Sequence, residues 1–195
     1  MLPKVTIWRA GETGPNRYIL LPMKLIVGLG NPGKQYEKTR HNAGFIALDN
    51  FVETKDLGDW QMKDKFKAEI FETANETGDK LILAKPQTFM NLSGESVQAI
   101  KAFYKIKNDD ITVVHDELTM PMGKVQYKTG GSSAGNNGVG SIIDHIGEDF
   151  NRIRIGIHTL KAYDVNNSSD YVLGQLSSDE IKQIQSIDLG KILGD

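Results

Sequence analysis

The chain has no cysteine among its 195 residues. That single absence excludes disulfides, thiolate nucleophiles and cysteine-ligated metal centres. It fits a reducing compartment, and a cytoplasmic location is the expectation. Long apolar runs are missing as well. No stretch approaches the roughly 18 residues that a membrane helix needs, so no membrane association is expected. Histidine is scarce: His41, His115, His145 and His158 show no paired ligand spacing on one element, and no metal or cofactor is expected. Neither sign of charge dominates, with 23 basic against 25 acidic residues and a net of −2. A surface that coats nucleic acid throughout is thereby excluded, so a nucleic-acid partner must be met by a local basic patch.

What the chain does contain begins at Met23. The preceding segment, 1–22, has neither the central apolar run nor the cleavage site of a secretory signal. Met23-Lys24-Leu25-Ile26-Val27 reads as a start made directly in a strand. Residues 1–22 are therefore expected to be an extension outside the fold, with one domain over 23–195. Without the extension 20 basic residues face 24 acidic ones, a net of −4, which tightens the demand for a local patch.

Short β-rich runs alternate with helical spacing. Strands are expected at 24–27, 66–73, 80–85, 111–114, 125–128 and 153–157. Helices are expected at 43–52, capped by Asn42, at 93–104, capped by Ser93, and at 138–146. This alternation predicts a single α/β domain with a twisted, mixed, mostly parallel sheet flanked by helices. Ligands in such sheets bind beyond the carboxyl ends of the strands. Asn31, Asp116 and the segment 85–91 all follow strand ends, so they are candidates to converge. The glycine-rich segment 130–138 (GGSSAGNNG) is a polar loop of the kind found at a ligand edge.

Gly28-Leu29-Gly30-Asn31-Pro32-Gly33 matches the G-x-G-x-x-G of dinucleotide sites. That reading needs a helix starting at the last glycines and an acid about 20 residues on, closing a second strand. Helical spacing starts only at Ala43, and Asp49 falls inside that helix. Both tests fail. The glycines then make a tight turn that frees Asn31 and His41 for a ligand.

Four phrases in order carry more information than any one of them: Asn31-Pro-Gly-Lys-Gln-Tyr36, Thr39-Arg-His-Asn-Ala-Gly44, Phe89-Met-Asn-Leu-Ser-Gly94 and His115-Asp-Glu-Leu118. Together they closely resemble the bacterial-type peptidyl-tRNA hydrolases, over nearly all of residues 23–180. The resemblance implies a monomeric enzyme that hydrolyses the ester joining a peptide to the 3′ ribose of tRNA, binding the acceptor arm and 3′ end, and so recycles tRNA in translation. It implies His41 as general base with Asp116 orienting it. It further implies Asn31, Tyr36, Phe89, Met90, Asn91 and Asn137 around the substrate, and Lys128 and Arg154 against the acceptor arm. Histidine suits the base role independently, since its ordinary pKa lies near 6.5. Asparagine suits the cleft because an uncharged carboxamide both donates and accepts. Lys101, Lys105, Lys107, Lys124 and Arg152 are further candidates for phosphate contact.

Three departures from the family pattern stand out, one of them Gly156-Ile-His158-Thr-Leu160 in place of a usual Gly-Ile-Gly followed by His-Pro. Asn136 replaces a histidine that commonly helps the loop close over substrate, and the C-terminal helix, begun at 177–189, is shorter than usual. A homologue that binds RNA without turnover is the alternative, and retention of both His41 and Asp116 argues against it.

Overall fold

A computed structural model describes residues 23–56, 58–74, 78–159 and 168–193; the extension expected at 1–22 lies outside them. Seven strands form one sheet: β1 (Met23–Gly28), β2 (Gln61–Lys63), β3 (Ala68–Ala74), β4 (Lys80–Pro86), β5 (Ile111–Pro121), β6 (Val125–Thr129) and β7 (Asn151–His158). Their spatial order is β2-β3-β4-β1-β5-β7-β6. The four central strands are mutually parallel, while β2, β3 and β6 add antiparallel edges. The mixed α/β sheet expected from the alternation is therefore present.

Helix α1 (Ala43–Thr54) covers one face; α2 (Ser93–Tyr104) and α3 (Asn137–Ile146) cover the other. Three shorter helices follow: α4 (Ser168–Leu173), α5 (Ser178–Gln185) and α6 (Leu189–Leu193). The segment 177–189 thus holds a complete short helix, α5, closed at its start by a capping box between Ser177 and Glu180. Its Ile184, with Leu189, is buried in the α1 face of the core.

Strand order reverses at β1, whose neighbours are β4 on one side and β5 on the other. Loops leaving β1 and β4 therefore diverge to opposite faces and open a crevice at the carboxyl edge. Helix α1 docks on this point with almost no clearance. A Cβ on Gly44 would lie 2.3 Å from the Val114 carbonyl oxygen and 2.4 Å from the Leu29 amide nitrogen, both backbone atoms that cannot move aside. Only glycine permits this approach. It also sets the distance between His41, three residues before Gly44, and Asp116, two residues beyond Val114.

Several boundaries differ from expectation, each for a local reason. Strand β5 does not stop at Val114 but runs on through His115, Asp116 and Glu117, because the ladder to β7 continues there. Hydrophobic periodicity sees only apolar side chains, and these polar ones are satisfied by other means. Strand β3 starts at Ala68, since Asp64–Phe66 forms a 3-10 turn and Lys67 has φ +49°. Neither Asn42 nor Ser93 caps a helix with its side chain. Both are engaged elsewhere: Asn42 with Asn31, and Ser93 by donating its hydroxyl to the Met90 carbonyl at 2.9 Å.

Candidate active site

The chain leaves β1 and makes a turn, 31–38, before the 3-10 turn Arg40–Asn42 that carries His41. Hydrogen bonds from the Tyr36 amide to the Gly33 carbonyl and from the Thr39 amide to the Tyr36 carbonyl tighten it, both at 2.9 Å. Gly33 has φ +107°, a conformation that L side chains rarely adopt. The C-terminal part of the chain straps this turn from outside. Leu176 donates its amide to the Lys38 carbonyl at 2.7 Å, and Arg40 donates its amide to the Gly174 carbonyl at 3.1 Å. The Arg40 guanidinium reaches the Gln175 carbonyl and Glu180 Oε1, each at 3.0 Å, and lies over the Tyr171 ring. His41 is thus held on both sides of its backbone.

His41 Nδ1 donates to Asp116 Oδ1 at 3.0 Å, across 75 residues of sequence. An ionised carboxylate only accepts, so this bond assigns the proton to Nδ1 and leaves Nε2 as the basic nitrogen. Nε2 has no protein partner among the described residues, and His41 lines the cleft. Both side chains are nearly enclosed, His41 being 8% and Asp116 4% exposed. Burial pulls the His41 pKa down. The Asp116 charge and hydrogen bond outweigh it and hold the imidazole above its usual value.

Asn31 and Asn42 form a reciprocal pair beneath the cleft. The Asn31 amide donates to Asn42 Oδ1 at 2.9 Å, and Asn42 Nδ2 donates to the Asn31 carbonyl at 3.0 Å. The Asn31 side chain is oriented in turn by the Met90 amide, which donates to Oδ1 at 2.8 Å. With its oxygen taken, Asn31 has Nδ2 left as a donor at the cleft floor. That is a neutral donor on the same cleft as the histidine.

The cleft has a volume of about 640 Å³. Of the residues singled out from sequence, it brings together Asn31, Tyr36, His41, Phe89, Met90, Asn91, Asp116, Asn137 and Arg154. Met90 is buried, whereas Phe89 is 55% exposed and forms an apolar rim. Arg154 is not a free cation. Its Nε and Nη2 donate to Glu117 Oε2 at 3.0 and 2.6 Å, and Glu117 also collects the Thr119 amide and hydroxyl. Burial opposes ionisation of Glu117, but the Thr119 bonds and the guanidinium hold its pKa below the usual range. Lys128 stands outside the cleft lining, exposed on edge strand β6 and close to Gly131 at the base of the polar loop.

Other candidate cations are placed elsewhere. Arg152 is 3% exposed and donates to the Gly131 and Ser132 carbonyls, so it anchors the polar loop from inside rather than offering charge to a phosphate. Lys101 and Lys105 line a groove at the far end of α2, about 12 Å or more from the helix start beside Met90.

Three contributors were not singled out from sequence: Asn42, Glu117 and Asn136. Asn42 read as a cap, Glu117 as a charge after a strand, and Asn136 as a loop substitution. Their partners lie 11, 37 and 20 residues away, beyond any local pattern.

The family model described as peptidyl-tRNA hydrolase matches residues 25–191. A peptidyl-tRNA hydrolase of Rickettsia bellii is 48% identical over 158 residues, covering 81% of this chain and 83% of that protein. One from Fusobacterium nucleatum is 46% identical over 166 residues, covering 85% and 83%. The crystal structure of the Acinetobacter baumannii peptidyl-tRNA hydrolase superposes with a TM-score of 0.74 at 38% identity, over 83% of this chain and 81% of that one. The chain belongs to the peptidyl-tRNA hydrolase family.

Proposed function

We propose that this chain hydrolyses the ester of peptidyl-tRNA by direct attack of water, with His41 as general base. One observation carries the reading: the Nδ1 proton of His41 is committed to Asp116, which leaves Nε2 as the acceptor on a cleft that also holds the carboxamides of Asn31, Asn91 and Asn137. A water at Nε2 loses a proton to it as its oxygen adds to the ester carbonyl. Asp116 stabilises the imidazolium so formed, as carboxylates do in other base–acid pairs. The oxyanion accepts from a neutral donor, for which Asn31 Nδ2 is the best oriented group. Collapse breaks the bond to the ribose oxygen, which takes the proton back from His41. A free tRNA hydroxyl and a peptide carboxylic acid result, and the acid then loses its proton to solvent to leave the carboxylate. These steps use only side chains and water, within a monomer acting in the cytoplasm.

On this reading Tyr36, Phe89, Met90, Asn91 and Asn137 hold the peptide and terminal nucleotide. Arg154, already neutralised by Glu117, supplies directed hydrogen bonds rather than net charge, and Lys128 supplies a phosphate contact beside the loop. Release of the amino acid from an N-blocked aminoacyl-tRNA tests the proposal. His41→Ala is expected to lower kcat by about 10²–10⁴-fold, the usual contribution of a positioned base. In the wild type, activity should rise with pH through a midpoint above 6.5, because Asp116 holds His41 above its ordinary value. Free aminoacyl-tRNA should react more slowly, since its ammonium would be desolvated against amides without compensation. A His41→Ala protein as active as the wild type would sink the reading.

A further inference from the structure

Asn136 lies at the junction of the polar loop and α3, and its carboxamide is used at both ends. Oδ1 accepts from the Gly138 and Val139 amides, each at 3.1 Å, which caps α3. Nδ2 donates to Asp116 Oδ1 at 2.9 Å. The orientation is not arbitrary. Flipping the amide would turn its NH2 onto two backbone N–H donors and its oxygen onto a carboxylate, exchanging three bonds for three repulsive contacts. The acceptor on Asp116 is the same oxygen that receives His41 Nδ1 at 3.0 Å. That carboxylate is therefore braced from two directions and cannot rotate without giving up one donor.

The brace rests on fixed ground. Helix α3 is pressed against α2 so closely that a Cβ on Gly94 would lie 2.1 Å from the Ser141 carbonyl oxygen. The loop before Asn136 is tied down by Arg152 at the Gly131 and Ser132 carbonyls. We propose that Asn136 is a positioning residue of the hydrolysis, transmitting the fixed start of α3 to the Asp116 carboxylate and through it to the His41 imidazole. This rests on the general-base reading of His41. A serine or threonine at 136 would cap the helix equally well, but only a longer side chain with both an acceptor and a donor does both tasks.

The charged surroundings of His41 make the effect readable. Among the described residues, Asp116 on β5 is the one carboxylate bonded to its ring. The adjacent Arg40–Glu180 and Glu117–Arg154 pairs are each neutral as a unit. Removing the Asn136 donor withdraws a partner from Asp116 Oδ1 and leaves more of its negative charge facing His41. The imidazolium is then favoured, and the acid limb of the kcat profile moves to higher pH.

The test compares wild type with Asn136→Ser, Asn136→His and His41→Ala on N-blocked aminoacyl-tRNA. Asn136→Ser keeps a capping oxygen, so its Tm should stay within about 3 °C of wild type. Its kcat is expected to fall about tenfold, equivalent to about 1.4 kcal/mol, with KM within twofold and the acid limb raised. Asn136→His, which restores a ring N–H towards Asp116, should recover most of kcat and return the limb. Wild-type kcat and limb in Asn136→Ser, alongside an inactive His41→Ala, would overturn the proposal and leave the base reading intact. A loss confined to KM with an unmoved limb would overturn it too, as the mark of a merely structural loop residue. Activity surviving in His41→Ala would remove both together.

Discussion

His41 and Lys85 are both basic side chains buried at the carboxyl edge of the sheet, on either side of turn 31–38. Their surroundings differ in one respect that separates chemistry from scaffold. Lys85 is enclosed by two counter-charges, Asp49 at 2.6 Å and Glu69 at 2.9 Å, and by the face of the Trp60 ring at 4.3 Å. His41 has one carboxylate on one nitrogen, and the other nitrogen opens onto the cleft. The first arrangement is closed on itself. The second is deliberately incomplete, with an acceptor held rigid and left without a protein partner. Burial of a charged group is therefore no guide to function by itself; the guide is whether its hydrogen-bonding capacity is exhausted.

Replacing Asp116 by Asn strikes the open site hardest. Plateau kcat is expected to fall by about 10²–10³-fold, because the imidazolium formed during attack loses its counter-charge. The pH profile should move in a defined direction. In the wild type, burial lowers the His41 pKa and Asp116 raises it to a net increase. Without the carboxylate, burial alone remains, so the acid limb shifts below its wild-type position. A plateau within a few-fold of wild type, or a limb moved upward, would break the contrast drawn above.

The closed site should answer in stability rather than rate. Lys85→Met removes the cation that Asp49 and Glu69 share. Burial already holds Asp49 above the usual carboxylate range, with Lys85 pulling it back and Glu69 and Glu53 pushing it further up. Breaking a fully buried pair costs about 3–5 kcal/mol, and exposed pairs are worth about 0–1 kcal/mol. With the Asp49 and Glu69 side chains 41% and 35% exposed, a loss of about 2 kcal/mol is expected in urea denaturation. A kcat that collapsed while stability held would make Lys85 part of the chemistry and erase the distinction.

Much of this was legible in the chain before any coordinates. The strand and helix alternation gave the sheet, because apolar side chains repeat with the period of the element that buries them. Asn31 and Asp116 were legible because each follows the end of an apolar, strand-like run, and His41 because it sits in a phrase that the family shares. What escaped was the wiring. Asn42 reads locally as a helix cap, yet its side chain is taken by Asn31 across a turn that periodicity cannot see. Strand β5 reads as ending where its apolar residues end, yet the ladder carries on for the polar residues the site needs. Arg152 and Arg154 look equivalent in sequence, two apart on one strand. Alternation puts them on the same face of β7, and two ladder positions along the strand separate them, one under the loop and one at the cleft wall. Pairing across the fold, not local composition, decides which polar residue is scaffold and which is site.

Lys128 extends the contrast to a third kind of cation, and the expected effect is the smallest. It projects from edge strand β6 beside Gly131, exposed, with no acidic partner among the ion pairs of the described residues. Unlike Lys85 it is unsatisfied, and unlike His41 it touches no reacting atom, so its contribution should be purely electrostatic. Lys128→Ala is expected to raise KM for N-blocked aminoacyl-tRNA about threefold near 0.1 M salt, the change falling in KM rather than kcat. The log–log salt slope of kcat/KM should drop by about 1, the share of one phosphate contact. Wild type and variant should then converge as salt rises and screening removes what the lysine supplied. A difference that persisted at high salt would show that Lys128 acts through packing or loop position, placing it with the scaffold after all.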